Sequence, residues 1–171
     1  NLKFSFVDSG GNVTIDNNAK SGGMTNCLGC QSPVISISSA QVGLVLHELG
    51  HALGMHHEMK NPNLKLTWNV AVLTQMYGGN EELVKSQIVD KIDPREVTAL
   101  PFDKNSVMIY PLPATTNKEG VKMGWVNKYT DIDRQWLEIT YGKPAQPLPP
   151  TTATTKPPTT TTPPATTKPP T

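Results

Sequence analysis

The stretch HELGHALGMHHE, from His47 to Glu58, constrains this chain more than any other part of it. His47 and His51 are four residues apart, so on a helix they lie one turn apart on one face. Both imidazoles can then reach one metal ion. Glu48 follows the first histidine, which lets its carboxylate lie beside the metal without binding it. Gly54 can take positive φ and end the helix. The chain then turns back, and His57 can supply a third nitrogen. Three protein ligands leave one tetrahedral position open for water, the mark of a catalytic rather than a structural zinc site.

HExxH alone arises by chance in unrelated helices. The longer spacing HExxHxxGxxH adds Gly54 and His57 at fixed places and makes chance a poor explanation. That register selects His57 over its neighbour His56, which is left as a flank of the site or a solvated ring. The longer motif is the metzincin signature. Residues 106–110, Ser-Val-Met-Ile-Tyr, resemble the Met-turn that metzincins place beneath the three histidines. Met108 would then be a soft, adaptable floor to the site.

Within the metzincins the chain resembles the astacin family, most closely its bacterial and fungal branch. Glu58 directly after the third histidine and Tyr110 two residues after the Met-turn methionine carry the resemblance. So do Asn61-Pro62, Thr67-Trp68-Asn69, Phe102 to Ser106, Tyr110 to Pro113, and the segment from Tyr129 to Asp133 with Tyr141. The chain departs from the family pattern in three ways. Ile109 stands where many astacins carry histidine, the four-cysteine framework of animal astacins is absent, and so is the Arg- and Asp-rich run that follows the zinc motif in those proteins.

The resemblance implies an α+β metzincin (zincin-like) fold, with a mixed twisted sheet, an active-site helix and a small C-terminal subdomain. It assigns residues 1–143 to an astacin-like catalytic domain. Only three strands and no helix are legible before the zinc motif, whereas the family has five strands and a first helix. The family's first strand and first helix are therefore expected before Asn1, which would leave this domain truncated.

Residues 2–7, 12–16 and 34–38 alternate apolar and polar side chains and read as strands. Residues 17–23 read as a loop. Strand 34–38 is expected to form the edge of the cleft, where an extended substrate could pair with it. Ser38 and Gln41 resemble a capping box, so the zinc helix is expected from there to about Leu53. Val42, Leu46, Leu49 and Leu53 would be its buried stripe. Gly50 inside it suggests close approach of another backbone. Helices are also expected over 70–77, 81–89 and from Asp131 or Asp133 to about Thr140, with Trp136, Leu137 and Tyr141 in the core.

The chain has 171 residues, of which 36 % are hydrophobic, a low share explained by its end. Residues 144–171 are almost only Pro, Thr, Ala and Lys. Such a segment has nothing to bury and cannot offset its ordering entropy. It reads as a linker or an O-glycosylated stalk leading to a further domain. With a net charge of +1 and no basic cluster, nucleic acid is a poor partner. No apolar run is long enough to span a membrane. One CxxC, Cys27 and Cys30, cannot fill a four-ligand zinc site and reads as a local disulfide, in keeping with secretion, with pairing to cysteines before Asn1 as the alternative. A monomer acting on protein or peptide substrates is expected.

The implied chemistry uses one zinc ion on His47, His51 and His57, with Glu48 as general base. Tyr110 would stabilise the oxyanion and is a candidate additional ligand at rest. Gly54, Met108 and Glu58 support the site. In animal astacins the glutamate matching Glu58 is tied to the matured N-terminus. The alternative is a non-catalytic zinc-containing cell-surface or adhesion module. A zinc hydrolase of non-peptide substrates is a third reading.

Overall fold

The computed structural model describes residues 4, 5 and 7–143. The segment 144–171 and half of the strand expected over 2–7 lie outside them. The described residues of that stretch, 4, 5 and 7, are not in a strand.

Alternation in Val34–Ile37 (β3) buries Ile35 and Ile37 on one face of a sheet. Thr14–Asp16 (β1) pairs parallel with it, Thr14 opposite Val34. Gly23–Thr25 (β2) pairs antiparallel, Gly23 opposite Ile37 and Thr25 opposite Ile35. The sheet is therefore mixed, as expected, in the order β1-β3-β2. Two expectations are corrected. Gly23, expected to end a loop, lies with Met24 and Thr25 in a strand, although Gly-Met-Thr carries no alternation of its own. Their hydrogen bonds to β3 make them one. Strand β3 is not the cleft edge, because both its sides are paired. Its buried isoleucines favour the central place, and β2 takes the edge.

The zinc-motif helix runs over Val42–Ala52 (α1). It begins later than expected. Gln41 is the N-cap and makes no side-chain cap bond, so the Ser38 capping box does not form. The buried stripe also differs, because α1 lies between two apolar clusters rather than against one. Leu44 and Ala52 pack with Ile35 and Ile37 of the sheet, and half-buried Leu49 adds to them. Half-buried Leu46 faces a second cluster of Met55, Val107 and Met108. Val42 is 57 % exposed. A fully buried leucine contributes roughly 1.5–3 kcal/mol, so this double seat fixes the helix that carries the histidines.

After a 3-10 turn at Glu58–Lys60, helices Val70–Met76 (α2) and Glu81–Val84 (α3) follow. The Asn69 and Asn80 side chains accept from Val72 and Leu83 backbone N–H groups and cap them. The helix expected to Val89 changes at Lys85 into a wider, π-type turn over Lys85–Val89. Met59, Leu73, Val84, Ile88, Ile109, Leu112 and Met123 form a third cluster. Asp131–Tyr141 (α4) closes the described chain. Thr130 is its N-cap, and Asp133 completes a capping box as the third helical residue. Trp136 and Leu137 are half-buried against the second cluster, whereas Tyr141 is 40 % exposed and donates its hydroxyl to the Leu53 carbonyl. No helix among the described residues is long and apolar enough to cross a membrane.

Candidate metal centre

Helix α1 places His47 and His51 on successive turns, and their rings meet edge to face at 4.8 Å between centroids. Gly54, at φ +92°, then turns the chain. Its N–H donates to the His51 carbonyl, and the Met55 N–H donates to that of Gly50, so the helix ends in a Schellman motif. That turn returns His57 to the other two histidines. One ring nitrogen from each of His47, His51 and His57 lies within 4.8 Å of the other two. His56 is exposed and outside this group.

Each imidazole is set for metal binding. His47 Nδ1 lies 2.8 Å from the Val107 carbonyl, and His51 Nδ1 lies 2.8 Å from the Met55 carbonyl. A carbonyl only accepts, so both Nδ1 atoms carry hydrogen and both Nε2 atoms present a lone pair. His51 Nε2 and His57 Nε2 are 3.0 Å apart. Nitrogens around a tetrahedral zinc sit about 3.3 Å apart, given Zn–N near 2.0–2.1 Å, so this edge is close to ion-sized. Burial pushes all three histidines below the usual imidazole range, His51 to about 4 and His57 to about 2. The neutral form, which is the ligand form, is thus favoured. The donor set fits one zinc ion.

The Met-turn braces α1 at two points. Val107 orients His47 through its carbonyl, and the fully buried Met108 sets its sulfur against Gly50. A Cβ at position 50 would collide with that sulfur. Gly50 therefore admits a side chain, not the backbone expected from sequence. Asp133 holds the turn from α4. Its carboxylate accepts from Ser106 Oγ at 2.6 Å, from the Val107 N–H at 3.1 Å and from the Thr130 N–H at 2.9 Å. Sequence reasoning saw Asp133 only as a helix cap. The Thr130-x-x-Asp133 spacing signals the cap but nothing about the turn it grips.

Glu58 Oε1 accepts from Asn61 Nδ2 and from the Asp103 N–H, both at 2.9 Å, while the Glu58 N–H donates to the Met108 carbonyl. Glu58 thus ties the exit of the zinc motif to the loop before the Met-turn. Burial pushes its carboxyl up to about 7. A cavity of about 310 Å³ opens beside it, lined in part by His57, Met108, Asp133 and Trp136. It lies behind the imidazole cluster, since none of His47, His51, Glu48 and Tyr110 lines it.

Glu48 is 4 % exposed, and burial raises its carboxyl above the usual range. Thr25 Oγ1 lies 2.8 Å from its Oε2. No sequence signal pointed to Thr25, because nothing in its own stretch pairs it with Glu48. The Tyr110 ring packs 4.5 Å from that of His57 and 5.6 Å from that of His47. Burial, then Tyr77 and Glu48, raise its phenol above the ordinary value and keep the hydroxyl protonated. Trp125, 48 % exposed, meets His47 edge-on at 6.2 Å. Cys27 and Cys30 form a disulfide, as expected.

Three converging neutral imidazoles, two of them on a helix braced by a methionine turn, define a zinc site of the metzincin type. The family model of Astacin, a peptidase family, matches residues 23–132. The chain belongs to the astacin family. It is 28 % identical over 138 residues to zinc metalloproteinase nas-15 of Caenorhabditis elegans, covering 73 % of this chain and 23 % of that protein. The chain thus spans about a quarter of that relative's length. A solved structure of myroilysin shares the fold, with a TM-score of 0.65 at 20 % identity over 83 % of this chain and 79 % of that one.

Proposed function

We propose that this chain is a secreted zinc endopeptidase that hydrolyses peptide bonds with Glu48 as general base. The observation that carries the reading is the buried Glu48 carboxylate, on the same helix as two of three converging imidazoles. Zinc held by His47, His51 and His57 supplies Lewis acidity, which polarises a carbonyl and acidifies water. Glu48 takes the proton of the attacking water on its carboxylate and delivers it to the leaving amine nitrogen. Its raised pKa suits a group that must both accept and return a proton. Tyr110 donates its hydroxyl to the developing oxyanion. Met108 is the floor, and Gly54 and Glu58 hold the return of the chain to the site.

The outer side of β2 has no strand partner among the described residues. An extended peptide can add to it through main-chain hydrogen bonds. Secretion is supported by the Cys27–Cys30 disulfide and by the Thr- and Pro-rich segment of the sequence. Glu48→Gln tests the reading. The variant should keep its zinc and lose turnover by about 10²–10⁴-fold. A Gln variant that cleaves at the wild-type rate would show that Glu48 is not the base, and a wild type with bound zinc but no hydrolysis would favour the adhesion module.

A further inference from the structure

We infer that Thr25 is a positioning residue for Glu48, its hydroxyl holding the carboxyl group in place from the strand that would bind substrate. The inference rests on Glu48 being the base. Thr25 Oγ1 lies 2.8 Å from Glu48 Oε2 and 3.0 Å from the Glu48 carbonyl oxygen. One hydroxyl proton thus faces two acceptors. The hydroxyl donates to the carboxyl oxygen, the shorter of the two contacts, and has the carbonyl oxygen within reach.

The rest of β2 is shaped around the same carboxylate. Gly23 and Thr25 are two apart on a strand and so share a face. A Cβ at position 23 would lie 2.7 Å from both Cγ and Oε1 of Glu48. Glycine leaves room for the carboxyl group, and threonine bonds it. Pairing of Gly23 with Ile37 and of Thr25 with Ile35 fixes the strand from behind. The base is therefore held from the edge strand, and small displacements of a catalytic group lower rates steeply.

A merely structural threonine, wedging strand against helix, depends on its methyl group and shape. A positioning threonine depends on its hydroxyl. Thr25→Val keeps the shape and removes the hydroxyl, whereas Thr25→Ser does the reverse. The full chain loaded with zinc is assayed on a fluorogenic peptide. Wild-type cleavage and its loss in Glu48→Gln are checked first, so failure of the proposed function is seen separately. Thr25→Val is then expected to lower kcat by about 10–100-fold, with KM within about twofold and zinc content unchanged. Thr25→Ser should recover kcat to within about threefold. Should Thr25→Val not fold, Thr25→Ala compared with Thr25→Ser asks the same question with one oxygen of difference. A second readout needs no activity. In thermal unfolding of the metal-free protein, Thr25→Val should lower Tm less in a Glu48→Ala background than in wild type. Wild-type kcat in Thr25→Val, equal losses in Ser and Val, a loss confined to KM, or additive Tm changes would each overturn the inference.

Discussion

Tyr110 packs its ring against two of the three zinc-ligand histidines while its hydroxyl stays protonated. In the proposed role that hydroxyl matters only once negative charge develops on the substrate. Tyr110→Phe keeps the ring and its packing and removes the donor. It should lower kcat by about 10²–10³-fold and leave zinc affinity within a few-fold, which titration with a competing chelator measures. A parallel fall in affinity would instead make Tyr110 chiefly a ligand. At this scale the sequence was legible where a side chain's task depends on its spacing along one helix. His47, Glu48 and His51 are of that kind. Thr25 and Asp133 were not, because their partners, Glu48 and the 106–108 turn, lie more than twenty residues away.

Among the elements, α1 could be foreseen from its histidine spacing and its glycine stop. Its start and its buried faces could not, because they follow from two clusters contributed by distant segments. Strand β2 was hidden for the same reason, since its three residues become a strand only by pairing with β3. The junction of α4 with the Met-turn has a measurable weight. Asp133→Ala removes the Thr130 capping box partner and strands the buried Val107 N–H and Ser106 hydroxyl. Loss of a cap costs about 0.5–2 kcal/mol, and a buried unsatisfied group about 1–3 kcal/mol. We expect about 2–4 kcal/mol of destabilisation by denaturant unfolding, together with weaker zinc binding because Val107 also orients His47. A loss under 0.5 kcal/mol would mean that the turn is held without α4.

For the molecule as a whole, buried titratable groups tie stability to pH. His51 titrates at about 4 and His57 at about 2 in the folded chain, with His47 also lowered, against 6.5 when unfolded. Their contribution is intact above pH 6.5. As pH falls below that value, the unfolded chain takes up protons that the folded chain refuses, so stability is lost toward pH 4 and below. Glu58 acts oppositely, since its folded pKa of about 7 lies above 4.5. Its contribution is full below pH 4.5 and is lost as pH rises through 7. Three histidines outweigh the raised carboxyls between pH 4.5 and 6.5. The Tm of the metal-free protein should therefore climb across that window, and Glu58→Gln should steepen the climb. A flat or falling Tm would contradict the burial of the imidazoles.

The central claim is that the three imidazoles hold a zinc ion on which hydrolysis of protein depends. Its most direct measurement is digestion of a generic denatured protein by the full chain, before and after removal of metal with a chelator, and again after one equivalent of zinc is returned. The account predicts cleavage, its loss with the metal, and its recovery with zinc alone. Cleavage that persists in the metal-free protein, or a zinc-loaded protein that cleaves nothing, would contradict it.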